Sequence, residues 1–297
     1  MTDLYLYNGQ SPDEHVASCP DCRAASALLD RPETPAEPPP TLRDAVLSLA
    51  RRRRSPAVLA VSSVAAPYAE QVALMDDLLK DLSEPQWDAP IPRHGTVRAL
   101  VEHLVANDAT VAAFMGVPGT AAAMVAATVH RRWREQAGSL LERVSGSGEV
   151  LLGVEVALAG VRPARAPLRQ ALVQRTFETW THADDIRAAT DRAASPPRPE
   201  HVHLIVEFGL ALLPRAMRGP RRDVSATVVL TGPGGGSWTV PLSPASDHVA
   251  VVISADAVEF CRLLGNRWPP GSFPYAAEGD PALARELIRA AATLGCD

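Results

Sequence analysis

The stretch Arg175-Thr176-Phe177-Glu178-Thr179-Trp180-Thr181-His182-Ala183-Asp184-Asp185-Ile186 decides how this chain is read. Glu178 and His182 are four apart, so on a helix a carboxylate and an imidazole stand one above the other on a single face. Leu172, Val173, Phe177 and Ile186 supply an apolar stripe, which predicts a packed helix. Two metal-capable side chains on a packed helix require a third from a neighbour. His103, in Val97-Arg98-Ala99-Leu100-Val101-Glu102-His103-Leu104, is the expected donor. Two imidazoles and one carboxylate would hold zinc or another divalent metal and leave a position open for chemistry. The same residues also suit a plainer arrangement, with Glu178 and His182 as a helix-surface pair and His103 as a satisfied core histidine.

Outward from that stretch the pattern is helical. Val72, Leu74, Met75, Leu78, Leu79 and Leu82 recur at helix spacing from Tyr68 onward. A loop from Ser83 to Gly95 carries Trp87, Thr96 caps the helix that holds His103, and a third helix is expected from about 121 to 144. The helix with Glu178 and His182 starts near Ala166 or Pro167. Four amphipathic helices with ligands projecting inward from two of them describe a helix bundle with a core metal site. Beyond the Pro-rich break at 195–199 a helix over 200–217 is expected. Strands follow at 224–231, 238–242 and 249–253, the first two as a hairpin about Gly232–Gly236. Ser254 is the expected cap of a helix containing Phe260, and a last helix runs from Pro281 to Leu294. Gly232–Gly236 lacks the Lys-Ser/Thr and the following helix of a phosphate loop.

The N-terminal thirty residues form a separate small unit. Ser11-Pro12-Asp13-Glu14 reads as a helix start. His15, Cys19 and Cys22 follow at spacings that place imidazole and thiolates around one ion, a donor set suited to zinc. Residues 31–40 are a stiff Pro-rich linker. Thr41 then caps a helix with Leu42, Val46, Leu47 and Leu49 on one side and Arg51–Arg54 at its end.

Two resemblances follow from these motifs. His15-Val16-Ala17-Ser18-Cys19-Pro20-Asp21-Cys22 resembles the zinc-binding anti-sigma domain of bacteria over about thirty residues. That resemblance implies zinc at His15, Cys19 and Cys22, with Asp3, Asp13, water or a partner supplying a fourth ligand. It also implies a sigma factor as partner, with helix 41–54 either laid on it or packed on its own protein. The segment before His15 is shorter than that family usually has.

The second resemblance covers about residues 66–295. Leu82-Ser83-Glu84-Pro85-Gln86-Trp87-Asp88, Thr96 to Leu104 and Glu178 to Ile186 are similar to the mycothiol-dependent maleylpyruvate isomerases and their DinB-like relatives. By that resemblance His103, Glu178 and His182 bind zinc, and mycothiol or a similar thiol is the cofactor. The thiolate adds to a conjugated double bond, and rotation and elimination isomerise the small-molecule substrate; some relatives transfer thiols instead. Gly265-Asn266-Arg267 stands where the family tends to carry Gly-x-Arg, so Arg267 is a catalytic candidate for an anionic substrate, or else a surface arginine bonding a helix end. One departure is plain. The family often has Trp just before the Thr-Val that opens the second helix, and here that place reads His94-Gly95.

The expected architecture is α+β: a zinc-finger-like unit at 1–30, linker and helix at 31–65, a DinB-like four-helix bundle at 66–195, and a small α/β C-terminal domain at 196–297. Two functions are open. One is a metal- and thiol-dependent isomerase or transferase. The other is a regulator that binds a sigma factor through residues 1–54 and uses the bundle as sensor or scaffold. Composition narrows the field. The 297 residues are 46% hydrophobic and 21% charged, ordinary for a globular protein. A net charge of −5 argues against direct nucleic-acid binding, the run Arg51–Arg54 notwithstanding. Met1–Tyr7 has neither a basic flank nor an apolar core, and no apolar run is long enough to span a membrane, so a cytoplasmic protein is expected.

Overall fold

A computed structural model of the chain describes residues 12–29, 42, 61–117, 128–160, 164–217, 223–244 and 248–295. The expected linker 31–40, nearly all of helix 41–54 and the stretch 121–127 lie outside them. The chain divides into two units, residues 1–53 and 54–297.

In the first unit α1 (Pro12–Ser18) and α2 (Pro20–Leu29) are separated by Cys19 alone. Each opens on a proline at its first helical position and carries acid in its first turn, Asp13 and Glu14 in α1 and Asp21 in α2, where the helix dipole favours negative charge. The backbone runs on through the break. Cys19 N–H donates to His15 O at 2.8 Å, and Arg23 N–H to Cys19 O at 3.0 Å.

The larger unit contains, in chain order, α3 (Ala66–Lys80), α4 (Glu84–Trp87), β1 (Pro90–Ile91), β2 (Gly95–Thr96), α5 (Val97–Phe114), α6 (Val129–Ser145) and α7 (Glu149–Leu152). Then come β3 (Glu155–Ala157), β4 (Arg165–Pro167), α8 (Leu168–Ala189) and α9 (Pro199–Ala216). The C-terminal part holds β5 (Val224–Thr231), β6 (Gly236–Pro241), β7 (His248–Asp256), α10 (Ala257–Leu264), β8 (Ala276–Gly279) and α11 (Pro281–Ala291). The fold is α+β, as expected.

Helices α3, α5, α6 and α8 share one core. Tyr68, Val72, Met75 and Leu79 meet Leu100 and Leu104, Trp133 and Leu140, and Leu172 and Ile186. Thr96 caps α5, its Oγ1 accepting from Ala99 N–H at 3.2 Å, and Thr128 does the same for α6 through Arg131 N–H at 3.3 Å. A second core lies under the four-stranded sheet, whose order is β6-β5-β7-β8. There Val202, Ile205 and Val206 of α9, Phe260 and Leu264 of α10, and Leu283 and Leu287 of α11 cover Ala226, Val228, Val251 and Ile253. Strands β5 and β7 are parallel; the other pairs are antiparallel.

Helix α8 belongs to both cores. Leu172 and Ile186 point into the bundle, while Phe177 and Trp180 point into the sheet core. Every residue from Gln174 to Ala183 is therefore buried, on all sides of the helix rather than along one stripe. Other differences from the sequence reading are local. Ser254 caps nothing: it lies inside β7, paired with Val229 and Ala276. Asp256 takes the role, its Oδ1 accepting from Val258 and Glu259 N–H at 2.9 and 3.0 Å. The expected loop 83–95 contains α4 and β1. Strands β1 to β4 and β8, each two to four residues long, are too short to show a period-2 pattern.

Candidate metal centre

His182 stands near the C-terminal end of the continuously buried stretch of α8, and His103 of α5 packs beside it. The two rings lie edge to face with centroids 5.3 Å apart. Glu178 stands one turn before His182, its Oε2 3.5 Å from His182 Nε2. The structure thus places all three expected bundle ligands in one region. It also adds one. His94, on the turn between β1 and β2, has its ring centroid 4.6 Å from that of His103 and 5.1 Å from that of His182. One donor atom each from His94, His103 and His182 all lie within 4.8 Å of one another. Glu178 sits beside this trio against His182 rather than within it. Bond lengths of about 2.0–2.1 Å at tetrahedral angles put ligand atoms about 3.4 Å apart, so these donors need to close by at most about 1.4 Å to share one ion.

The surroundings suit an imidazole ligand. His182 Nδ1 lies 3.1 Å from Asp185 Oδ2, one turn on. Donation from Nδ1–H to that carboxylate leaves the Nε2 lone pair directed at the Glu178 side, the arrangement that orients metal-binding histidines. Arg267 grips the same carboxylate, with Nη2 2.5 Å from Asp185 Oδ2 and Nε 3.2 Å from Oδ1. Its Nη1 donates to Gly265 O, and its Nη2 also lies 3.1 Å from His182 Nδ1. Burial alone would raise the Asp185 pKa; the hydrogen bonds from His182 and Arg267 outweigh it and hold the carboxyl below its usual range. Arg267 is therefore placed behind His182, with its guanidinium fork engaged by Asp185 and Gly265. On α5, Asn107 Nδ2 lies 2.9 Å from His103 Nε2, at i+4.

Beneath Glu178 lies a polar network that the sequence reading missed. Tyr68 O–H donates to Asp108 Oδ2 at 2.8 Å, and Arg175 Nη1 is 3.3 Å from Asp108 Oδ1, all three side chains being buried. Burial pushes the Asp108 carboxyl up, against Arg175 and Tyr68, and the charge of Glu178 adds to the rise. Burial likewise pushes the Tyr68 hydroxyl well up. Two carboxylates near one guanidinium leave a negative surplus, which suits a cation at the histidines. A cavity of about 760 Å³ has Gln174, one turn before Glu178, in its wall, while His94, His103, Glu178 and His182 are not among the residues that line it. Its wall includes Asn266, Arg165, Arg215 and Glu155.

In the N-terminal unit, donor atoms of His15, Cys19 and Cys22 also lie within 4.8 Å of one another, with Cys22 Sγ 3.3 Å from His15 Nε2. Hydrogen bonds from the Cys22 backbone, then from its thiol and the Asp21 backbone, lower the Cys19 pKa, while the bond to Cys19 raises that of Cys22. Cys19 stands just before α2, where first-turn N–H groups stabilise a thiolate. The third described cysteine, Cys261, is buried in the sheet core, which pushes its thiol far up and makes it inert.

Comparison with known families places the bundle. The sequence profile described as "Mycothiol maleylpyruvate isomerase N-terminal domain" matches residues 68–187. That segment, 120 of the 297 residues, is similar to this domain family. His94, His103, Glu178 and His182 all fall inside the matched segment; His15, Cys19, Cys22 and Arg267 fall outside it. Two solved structures are similar to the chain. One is the crystal structure of the mycothiol-dependent maleylpyruvate isomerase, at 15% identity and a TM-score of 0.46, covering 75% of this chain and 95% of that one. The other is a histidine-to-alanine mutant of the same enzyme, at 14% identity, with the same TM-score of 0.46 and the same coverage of 75% and 95%. No curated protein matches the chain. Neither these matches nor the described residues support the expected sigma-factor partner. No described helix is long and apolar enough to cross a membrane.

Proposed function

We propose that the chain is a metal-dependent isomerase or transferase of the maleylpyruvate isomerase type that uses mycothiol or a similar small thiol, with a separate zinc-binding unit near its N-terminus. The observation that supports this most is the meeting of His103 and His182, with Glu178 alongside, inside the family-matched domain. The donor set, imidazole with a single carboxylate, suits zinc or a similar divalent ion. Bound there, the ion would favour the thiolate form of a thiol near neutral pH.

The chain's own residues supply the rest. Asp185 fixes the His182 ring and Arg267 fixes Asp185, so Arg267 acts in this reading as a positioning residue for the ligand set. Glu178 is the anionic ligand and not a base. The cavity beside Gln174 has room for a small substrate, and Arg165 and Arg215 give it affinity for an anion. The thiol adds its sulfur across one end of a conjugated double bond, the resulting single bond rotates, and elimination returns the thiol unchanged.

The test is direct. Purified protein is assayed for metal content and for thiol-dependent isomerisation of maleylpyruvate. Turnover that needs mycothiol and disappears with the metal in His182→Ala supports the reading. Metal-loaded protein without thiol-dependent turnover on this or related conjugated acids overturns it. For the N-terminal unit, Cys22→Ser should remove about one equivalent of zinc from the full chain; unchanged zinc would remove that assignment.

A further inference from the structure

Two of the three imidazoles that meet come from long, packed helices. The third, His94, comes from the tight turn between β1 and β2, and the turn is built to aim it. Gly95 takes φ +87°, which only glycine adopts freely. Arg93 is left-handed as well, at φ +67°, a conformation a side chain holds only when its surroundings impose it. Asn266 does so. With its amide oriented so that the oxygen faces Arg93, it accepts from Nη2 at 2.6 Å and Nη1 at 2.9 Å. Asn266 adjoins Arg267, which holds Asp185 and through it His182. On the other flank Val97 N–H donates to Ala89 O at 3.1 Å and Thr96 caps α5. The turn bearing His94 and the ring of His182 are thus located by neighbouring residues of one C-terminal loop.

We propose that His94 is a fourth protein ligand to the ion held by His103, Glu178 and His182. The resting centre is then a closed shell of three imidazoles and one carboxylate, and His94 is the ligand that yields to an incoming thiol. The inference rests on the metal-centre reading above. His94 is the one to yield because it stands on a hairpin whose strands are two residues each, whereas His103 and His182 stand on long helices packed in the core. With an ion held there the exchange would balance: the thiol sulfur would take the place of the His94 nitrogen, and the freed imidazole would accept the thiol's proton. A closed shell protects the site from water and adventitious anions until a thiol arrives.

Cobalt(II) is the probe, in the full-length chain carrying both Cys19→Ser and Cys22→Ser so that the N-terminal thiolates do not contribute. Cobalt titration with visible absorption reads affinity and coordination number together, and 2-mercaptoethanol reports thiol entry through a sulfur-to-cobalt charge-transfer band. In His94→Ala, and equally in His94→Trp, cobalt affinity should fall by about 10–100-fold or more, the scale of losing even an outer-shell partner. The visible absorption should weaken as water enters the shell, and the thiol band should appear at lower mercaptoethanol concentration. If both His94 variants keep the parent affinity and spectrum while His182→Ala loses them, His94 is not a ligand and the metal centre stands without it. If the parent binds no cobalt at all, the metal centre itself fails, and the proposed function with it.

Discussion

The two clusters of side chains that could hold a metal are assembled by opposite means. His15, Cys19 and Cys22 sit within a single turn-and-break between α1 and α2, and every contact among them is made by neighbours in sequence. His94, His103 and His182 come from a hairpin and two helices spread over residues 94–182, and meet because two hydrophobic cores hold α8 between them. A local cluster is easy to encode but has little core of its own: Cys19, Cys22 and His15 are all partly exposed. A dispersed cluster is shaped by the scaffold. The first should need its metal to stay folded; the second should need only its core.

Metal removal breaks or sharpens that contrast most strongly. Structural zinc in small units contributes about 10–16 kcal/mol, most of it realised as folding. Treating the full chain with a chelator should therefore abolish amide-exchange protection in α1 and α2 while leaving α3, α5 and α8 protected. Protection that persists in α1 and α2 would show that the N-terminal pair holds itself together, and the contrast would collapse.

Core and ligand substitutions next to each other on α5 give the second test. Leu104 is fully buried in the bundle and adjoins His103. Leu104→Ala should cost about 2–5 kcal/mol in urea unfolding. His103→Ala removes a half-buried ring and should lower bound metal while leaving the helical signal and most of the stability intact. Equal losses of stability from both would mean that the histidine is packing rather than a ligand.

What the sequence revealed follows the same division. The i, i+4 pair of Glu178 and His182, the Thr96 cap and the apolar rows of α3 and α5 are local regularities, and each appears where its spacing put it. The His15-Cys19-Cys22 cluster is equally local. Of the dispersed contacts, the approach of His103 to His182 was expected, and the others were not legible. His94 lies in a hairpin with strands of two residues, which leaves no periodicity to read. Arg267 and Asp185 are joined across the chain, and nothing in either neighbourhood names the other. Strand β8, Ala276-Ala277-Glu278-Gly279, lacks the β-branched and aromatic residues that mark strands. The full burial of α8 was not legible because its polar residues, Gln174, Thr176, Glu178 and His182, give that side of the helix no apolar pattern to read, and two cores enclose it.

A third test asks how much of the scaffold is electrostatic. Asp76 on α3 is buried, with Oδ1 2.7 Å from His130 Nε2 and Oδ2 2.7 Å from Lys80 Nζ. Burial would raise its pKa, but these two hydrogen bonds prevail and bring it down to about 2. Relative to an unfolded value of about 3.9 this contributes on the order of 2 kcal/mol at neutral pH. Because the folded value is the lower one, the contribution is complete above about pH 4 and disappears as pH falls towards 2. Asp76→Asn should show that loss at pH 7 and little further loss at low pH, measured by urea midpoints across the range. A variant that keeps the parent's acid sensitivity would move the responsibility to other carboxylates.

The smallest expected effect separates scaffold from site most finely. Thr96 is the last residue of β2 and the cap of α5, so it stands between the turn that carries His94 and the helix that carries His103. Its side chain makes the cap bond to Ala99 N–H and is no metal donor. Thr96→Ala should cost about 1 kcal/mol of stability, the usual effect of losing such a cap, and Thr96→Ser should restore most of it. Metal affinity at the bundle should change little, because α5 is fixed by Leu100 and Leu104 in the core as well as by its first turn. A large loss of metal in Thr96→Ala, rescued by Thr96→Ser, would show instead that the cap sets the distance between His94 and His103. The dispersed site would then depend on one local bond, much as the N-terminal cluster depends on its own.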